Sequence, residues 1–217
     1  MNDDMDAPQL ETLELATHGP VIPVMVIDRL DDAVPLAQAL VEGGVRVLEI
    51  TLRTPVALRC MEAIARAVPQ AIVGAGTVRH LADASAAKDA GCRFAVSPGY
   101  LSEVGIGCRT IGLPLLPGVA TASEVMQAYG DGYRFLKFFP ATAAGGIPML
   151  NALAGPFPDV AFCPTGGITP QTAPQFLALP NVRVCGGSWL TPRAAVEAKD
   201  WARITQLARE ATKLRPA

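Results

Sequence analysis

The chain has 217 residues, half of them hydrophobic, so it can bury a full core and falls at the short end of the range for one α/β barrel. Its 18 basic and 20 acidic residues leave a formal net charge of -2, which provides no broad electrostatic footprint for nucleic acid or an anionic membrane. Five scattered cysteines without a C-x-x-C pair exclude a zinc ribbon and argue against a disulfide framework.

The acidic opening segment has no apolar signal-peptide core, and no apolar run is long enough to span a bilayer, so a cytoplasmic protein is expected. Residues 1–8 are expected to be disordered, and residues 9–17 have helical spacing suited to closing the bottom of a barrel. From there one rhythm repeats: a short apolar run, a turn, then an amphipathic stretch. The predicted strands are Val21–Ile27, Val45–Ile50, Ala71–Gly74, Arg93–Val96, Leu113–Leu116, Arg134–Phe138, Val160–Cys163 and Val182–Cys185. Between them, Asp31–Val41, Val56–Val68, Leu81–Ala90 and Ser123–Tyr129 carry apolar residues at i, i+3 and i+4, as crossover helices do. Trp201–Leu214 reads as the last outer helix. Continuous hydrophobicity in the strands implies burial on both faces, and eight βα units favour a (β/α)8 barrel in a single domain spanning 1–217.

A barrel places its chemistry at the C-terminal ends of strands. There stand Glu49–Thr54, Gly74–Thr77, Ser97–Tyr100, Pro117–Thr121, Lys137–Ala141, Pro164–Thr169 and Gly186–Trp189, all small, polar or charged segments. Lys137 lies inside the apolar FLKFFPA, where an unpaired ammonium would cost several kcal/mol. It is either a Schiff-base nucleophile or a barrel lysine that pairs with Glu49 or reaches the rim. Glu49 is the one acidic residue placed at a strand end near it, and reads as an acid–base group or as the other half of that salt bridge. Arg53 and Thr77 suit a carboxylate, with a surface-loop arginine and a helix N-cap as the plainer readings. Gly74-Ala75-Gly76 lacks the third glycine of a dinucleotide fingerprint, because Arg79 stands there; no NAD or other cofactor is expected. Gly166-Gly167 and Gly186-Gly187-Ser188 follow the seventh and eighth runs, where barrels hold phosphate on backbone N–H groups; ordinary turn punctuation is the alternative. His18 and His80 lie away from the strand ends, so a metal site is not expected. Cys163 and Cys185 read as buried small hydrophobes.

The motifs VRVLEITLRT, IVGAGTV, FAVSPG, LKFFPA, FCPTGGIT and VCGGSWL, in this order, resemble the bacterial 2-keto-3-deoxy-6-phosphogluconate (KDPG) aldolases, which are grouped with 4-hydroxy-2-oxoglutarate (KHG) aldolase. The likeness runs from about Gly19 to Arg209. It implies Schiff-base catalysis by Lys137, acid–base work by Glu49, a keto-acid carboxylate held by Arg53 and Thr77, and Thr165 near the substrate. Pro98 of the SPG motif and Phe139 of KFFPA join the substrate-binding set, with Gly166, Gly167, Gly187 and Ser188 for the phosphate. The resemblance further implies pyruvate and a phosphorylated keto acid as small-molecule partners, a homotrimer, and a place in sugar-acid catabolism of the Entner–Doudoroff type. Tyr100 after SPG and the TAAGG after KFFPA depart from the family pattern and bear on fine substrate contacts. Rival readings are another phosphate-sugar barrel, such as an isomerase, epimerase or synthase that does not use Lys137, and a non-catalytic metabolite-binding barrel.

Overall fold

The computed structural model describes residues 12–214, so the disorder expected for residues 1–8 falls outside the described residues. Among the described residues there are nine short strands: β1 Val21–Met25, β2 Val47–Thr51, β3 Ile72–Gly76, β4 Phe94–Val96, β5 Leu115–Leu116, β6 Gly118–Val119, β7 Phe135–Phe138, β8 Ala161–Pro164 and β9 Cys185–Gly187. Their pairing is parallel, in a curved six-stranded sheet ordered β5-β4-β3-β2-β1-β9 and a three-stranded sheet ordered β6-β7-β8. Isolated parallel bridges Phe162↔Val182 and Thr165↔Gly186 link β8 to the β9 segment.

All eight predicted runs change their limits, and three of the changes bear on the site. The fifth was expected to end at Leu116, but the chain continues through Pro117 into β6. Leu115 and Leu116 pair with β4, whereas Gly118 and Val119 pair with β7. Proline has no N–H to give to a ladder, so the pairing changes sides there, while the Pro117 carbonyl accepts from Lys137 N–H at 2.8 Å. The third run extends to Gly76, and the eighth shifts to Cys185–Gly187. Gly186 and Gly187 therefore lie in a strand, opposite Ile22 and Pro23, rather than in the loop assigned to them. Reading paired glycines as turn punctuation overlooks the close packing that only a missing side chain permits.

The helices start and stop where the local chemistry directs. Ala122–Gly130 begins at Thr121, whose hydroxyl accepts from Glu124 N–H while the Glu124 carboxylate accepts from Thr121 N–H. Trp201–Ala211 is capped by the Asp200 carboxylate. Leu30–Glu42 carries Asp31 and Asp32 in its first turn, favourable to the helix dipole, and stops at Gly43. Helix Ala57–Ala67 buries Ala57, Cys60, Met61 and Ile64, one helical face, against the sheet.

Strand alternation divides the core in two. Leu48, Ile50, Val73, Ala75, Leu136 and Phe138 face the helices in the larger cluster. Ile22, Val47, Ile72, Phe94, Val96, Leu116, Phe135, Ala161, Cys163 and Val184 face inward in a second cluster, which Leu15 and Ala16 also join. Residues 12–15 are helical and Ala16–His18 form a 3-10 turn. Full burial of a side chain such as Leu36, Met61 or Phe138 contributes about 1.5–3 kcal/mol, so the outer layer supplies most of the cohesion. Among the described residues no helix is long and apolar enough to cross a membrane.

Candidate active site

In β2 and β7 the inner face turns from apolar to polar one step along the strand. In β2, Val47 faces inward, so Glu49 two residues on does the same; in β7, Phe135 faces inward and Lys137 follows. The two meet across the interior, with Lys137 Nζ donating to Glu49 Oε1 at 3.1 Å, and both are about 95% removed from solvent (5% and 3% exposed). Among the described residues each is the other's ion-pair partner, and breaking such a buried pair typically costs about 3–5 kcal/mol. Lys137 Nζ also lies 5.2 Å from the centre of the Phe139 ring.

Glycines make room for this pair. Gly74 stands opposite Glu49 in register, and a Cβ there would strike the Phe94 ring at 2.1 Å. A Cβ on Gly76 would lie 2.4 Å from Glu49 Oε1. The G-A-G of β3 therefore points its missing side chains inward, one beneath the phenyl ring and one beneath the carboxylate, while Ala75 faces the helices.

Arg53 and Thr77 are brought together from successive strand ends, Arg53 Nε donating to Thr77 Oγ1 at 3.2 Å. Arg53 is exposed. Thr77 has φ 64, a left-handed conformation that is uncommon and costly for a branched residue. Thr77 does not cap the following helix, whose first turn is served by the Asp83 carboxylate accepting from Arg79 and His80 N–H. Pro98 is half-buried after β4, and its backbone lies against Gly118, where a Cβ would come within 2.4 Å of it.

Thr165 is buried at the end of β8, with its hydroxyl donating to the Cys163 carbonyl at 3.3 Å. A Cβ on Gly186 would meet that hydroxyl oxygen at 2.2 Å, so β8 and β9 touch through a glycine. Cys163 Sγ lies 3.9 Å from the same oxygen, and burial pushes its thiol up to about 12 despite the nearby Lys137 charge. As expected of a small hydrophobe, it sits in the inner cluster, and it stays protonated at neutral pH. Gly166 and Gly167 have φ 103 and 75, and the space beside Gly167 is closed by Thr142, 2.6 Å from a would-be Cβ. Gly187 packs under the Trp189 ring.

Ser188 lies exposed one residue beyond β9, on the wall of an open cavity of about 920 Å³ over the ends of β1 and β9. Val24, Val26, Asp28, Arg29, Asp32 and Arg193 line the same cavity. None of these was singled out from the sequence. Val24 stands in register with Glu49, and the alternation that turns Ile22 inward gives it the same face. The strand-end rule applied to the first run would have found Val24 and Val26; only their apolar character hid them. Asp32 is a buried carboxylate with Arg29 Nε 3.9 Å from Oδ2 and with Oδ1 unpaired among the described residues.

Residues 13–207 match the family described as "Aldolase: KDPG and KHG aldolase". The KHG/KDPG aldolase of Escherichia coli K12 is 53% identical over 198 residues, covering 91% of this chain and 92% of that protein. The KDPG aldolase of Legionella pneumophila, solved with pyruvate captured as a covalent carbinolamine, is 47% identical with a TM-score of 0.91, over 96% of this chain and 99% of that one. The KDPG aldolase of Zymomonas mobilis ZM4, solved with 3-phosphoglycerate, is 45% identical with a TM-score of 0.92, over 96% and 98%. With a family match over most of its length and relatives of this identity, the chain belongs to the KDPG and KHG aldolase family.

Proposed function

We propose that this protein is a class I aldolase that cleaves KDPG to pyruvate and glyceraldehyde 3-phosphate, and also acts on 4-hydroxy-2-oxoglutarate, through a Schiff base on Lys137. The observation that carries this reading is the buried Lys137–Glu49 pair, 3.1 Å apart on the inner face at the strand ends. An amine held there beside one carboxylate has what aldol chemistry requires. The free amine of Lys137 attacks the C2 ketone, giving a carbinolamine that loses water to form an iminium. Glu49 removes the C4 hydroxyl proton, directly or through water, the C3–C4 bond breaks, and its electrons move into the iminium to give an enamine. Glyceraldehyde 3-phosphate leaves, C3 is protonated with help from Glu49, and hydrolysis releases pyruvate and the amine.

In this scheme Arg53 and Thr77 hold the keto-acid carboxylate, which matches their mutual contact at 3.2 Å. Thr165, Pro98 and Phe139 line the substrate, and Gly166, Gly167, Gly187 and Ser188 hold the phosphate. The positive φ of Gly166 and Gly167, which leaves their loop without side chains, supports close backbone approach of an anion. The relatives solved with pyruvate and 3-phosphoglycerate supply the two ligand classes.

The scaffold is read as one (β/α)8 domain, supported by the two bridges from β8 to the β9 segment and by β5 and β6 flanking a single proline. The N-terminal helix closes its bottom, in keeping with Leu15 and Ala16 in the inner cluster. We read the molecule as a homotrimer, for which Leu101, Ile106 and Met126, each more than half exposed, supply apolar surface. Its place is cytoplasmic sugar-acid catabolism of the Entner–Doudoroff type. Borohydride reduction in the presence of pyruvate tests the central step. One reduced pyruvate per chain is expected on the peptide containing Lys137, and none on Lys137→Ala. Labelling of another lysine, or full turnover by Lys137→Ala, would overturn the assignment to Lys137, and the absence of any trapped adduct would favour an isomerase or epimerase.

A further inference from the structure

The end of the sheet opposite the lysine carries a second concave site. The segments leading into β2, β4 and β5 and the first residue of β3 border an open cleft of about 380 Å³ beside the N-terminal helical turn. In a chain of net charge -2, its walls gather three cations, Arg46, Lys88 and Arg93, against one carboxylate, Glu14, with His18 beside them. Two of the cations are anchored through part of their donor set. Arg46 Nε donates to the Gln70 carbonyl at 3.0 Å, with neither terminal nitrogen hydrogen-bonded among the described residues, and Lys88 Nζ donates to the Ile111 carbonyl. The Arg93 guanidinium is unpaired among the described residues. Ile72 and Phe94 form an apolar floor that belongs to the inner cluster, so the cations stand around a low-dielectric base.

Two guanidinium groups and an ammonium lining one cleft supply the donors that phosphate oxygens accept, a planar guanidinium serving two oxygens at a time. We infer that this cleft binds a small polyanion of the phosphate or diphosphate class, at a site separate from the strand-end glycines. The cations are solvent-exposed, so the affinity falls as salt rises.

Titration calorimetry of the full chain with inorganic pyrophosphate at low ionic strength tests this. Arg46→Glu and Arg93→Glu should each weaken one class of binding by on the order of tenfold or more, since a charge-assisted contact is replaced by repulsion. Ser188→Ala, at the other end, should leave that class unchanged. So should Arg203→Glu, which alters net charge equally on the first turn of Trp201–Ala211, outside the cleft's lining. Circular dichroism checks folding, and Arg93→Ala provides a gentler variant if the reversal unfolds the chain. Equal weakening by Arg203→Glu would reduce the effect to net charge and overturn the site. So would isotherms that Arg46→Glu and Arg93→Glu leave within twofold of the parent, or no binding by the parent at millimolar pyrophosphate.

Discussion

Glu49 occupies a position that chemistry and packing both constrain. Its carboxylate accepts from Lys137, and its Oε1 occupies the space a side chain at Gly76 would take. Glu49→Gln keeps the shape and removes the base. Turnover and solvent exchange of pyruvate methyl protons should fall by on the order of 10²–10⁴, while borohydride trapping of pyruvate on Lys137 survives. Exchange followed by NMR checks this, and near-parental exchange would assign the proton to another group. Both residues were legible in the sequence, because a lysine and a glutamate in apolar strands demand an explanation. Their separation was not legible, because 88 residues divide them and only the register of strands brings them within 3.1 Å.

At the scale of elements, the turn after β8 is where a backbone substitution should separate two substrates. Gly167 has φ 75, and a Cβ would press on Thr142. Gly167→Val adds strain and bulk where the phosphate is proposed to bind. Each hydrogen bond lost to a charged phosphate costs about 1.5–3 kcal/mol, so kcat/KM for KDPG should drop roughly tenfold to hundredfold more than for 4-hydroxy-2-oxoglutarate. Steady-state kinetics on both substrates decides this, and equal losses in a folded variant would move the phosphate elsewhere. Helices such as Leu30–Glu42 and Ala57–Ala67 could be read within a residue or so because their apolar period is regular. The limits of β6 and β9 could not, because Pro117 and Gly186-Gly187 carry turn chemistry that neighbouring strands override.

At the scale of the whole molecule, one network ties separate helices together. The Asp131 carboxylate accepts from the Ser102 hydroxyl at 2.5 Å and the Tyr100 hydroxyl at 2.7 Å, while Arg109 donates to the Asp131 carbonyl at 2.8 Å. The Ser102 contact, then that of Tyr100, holds the Asp131 carboxyl below its ordinary value against the opposing effect of burial, and burial raises the Tyr100 phenol. A carboxyl depressed by folding binds more protons when unfolded, so its stabilisation is present above the unfolded value near pH 4 and is lost as pH falls through the folded value. Asp131→Asn should therefore lower Tm at pH 7 and flatten its decline below about pH 4; a parental acid profile would remove Asp131 from the account.

What the sequence determined by itself was the alternation of strand and helix, the polar character of the strand ends and the identity of the lysine and glutamate. These are local properties, set by residue type and by periods of about 2 and 3.6 residues. Tertiary structure decided which of those residues touch. It set Glu49 against Lys137, Arg53 against Thr77 and Thr165 against Gly186, and it gathered Arg46, Lys88 and Arg93 around one cleft. Those pairings depend on strand register and on the space that inward-facing glycines leave free, and both arise from packing between segments distant in the chain.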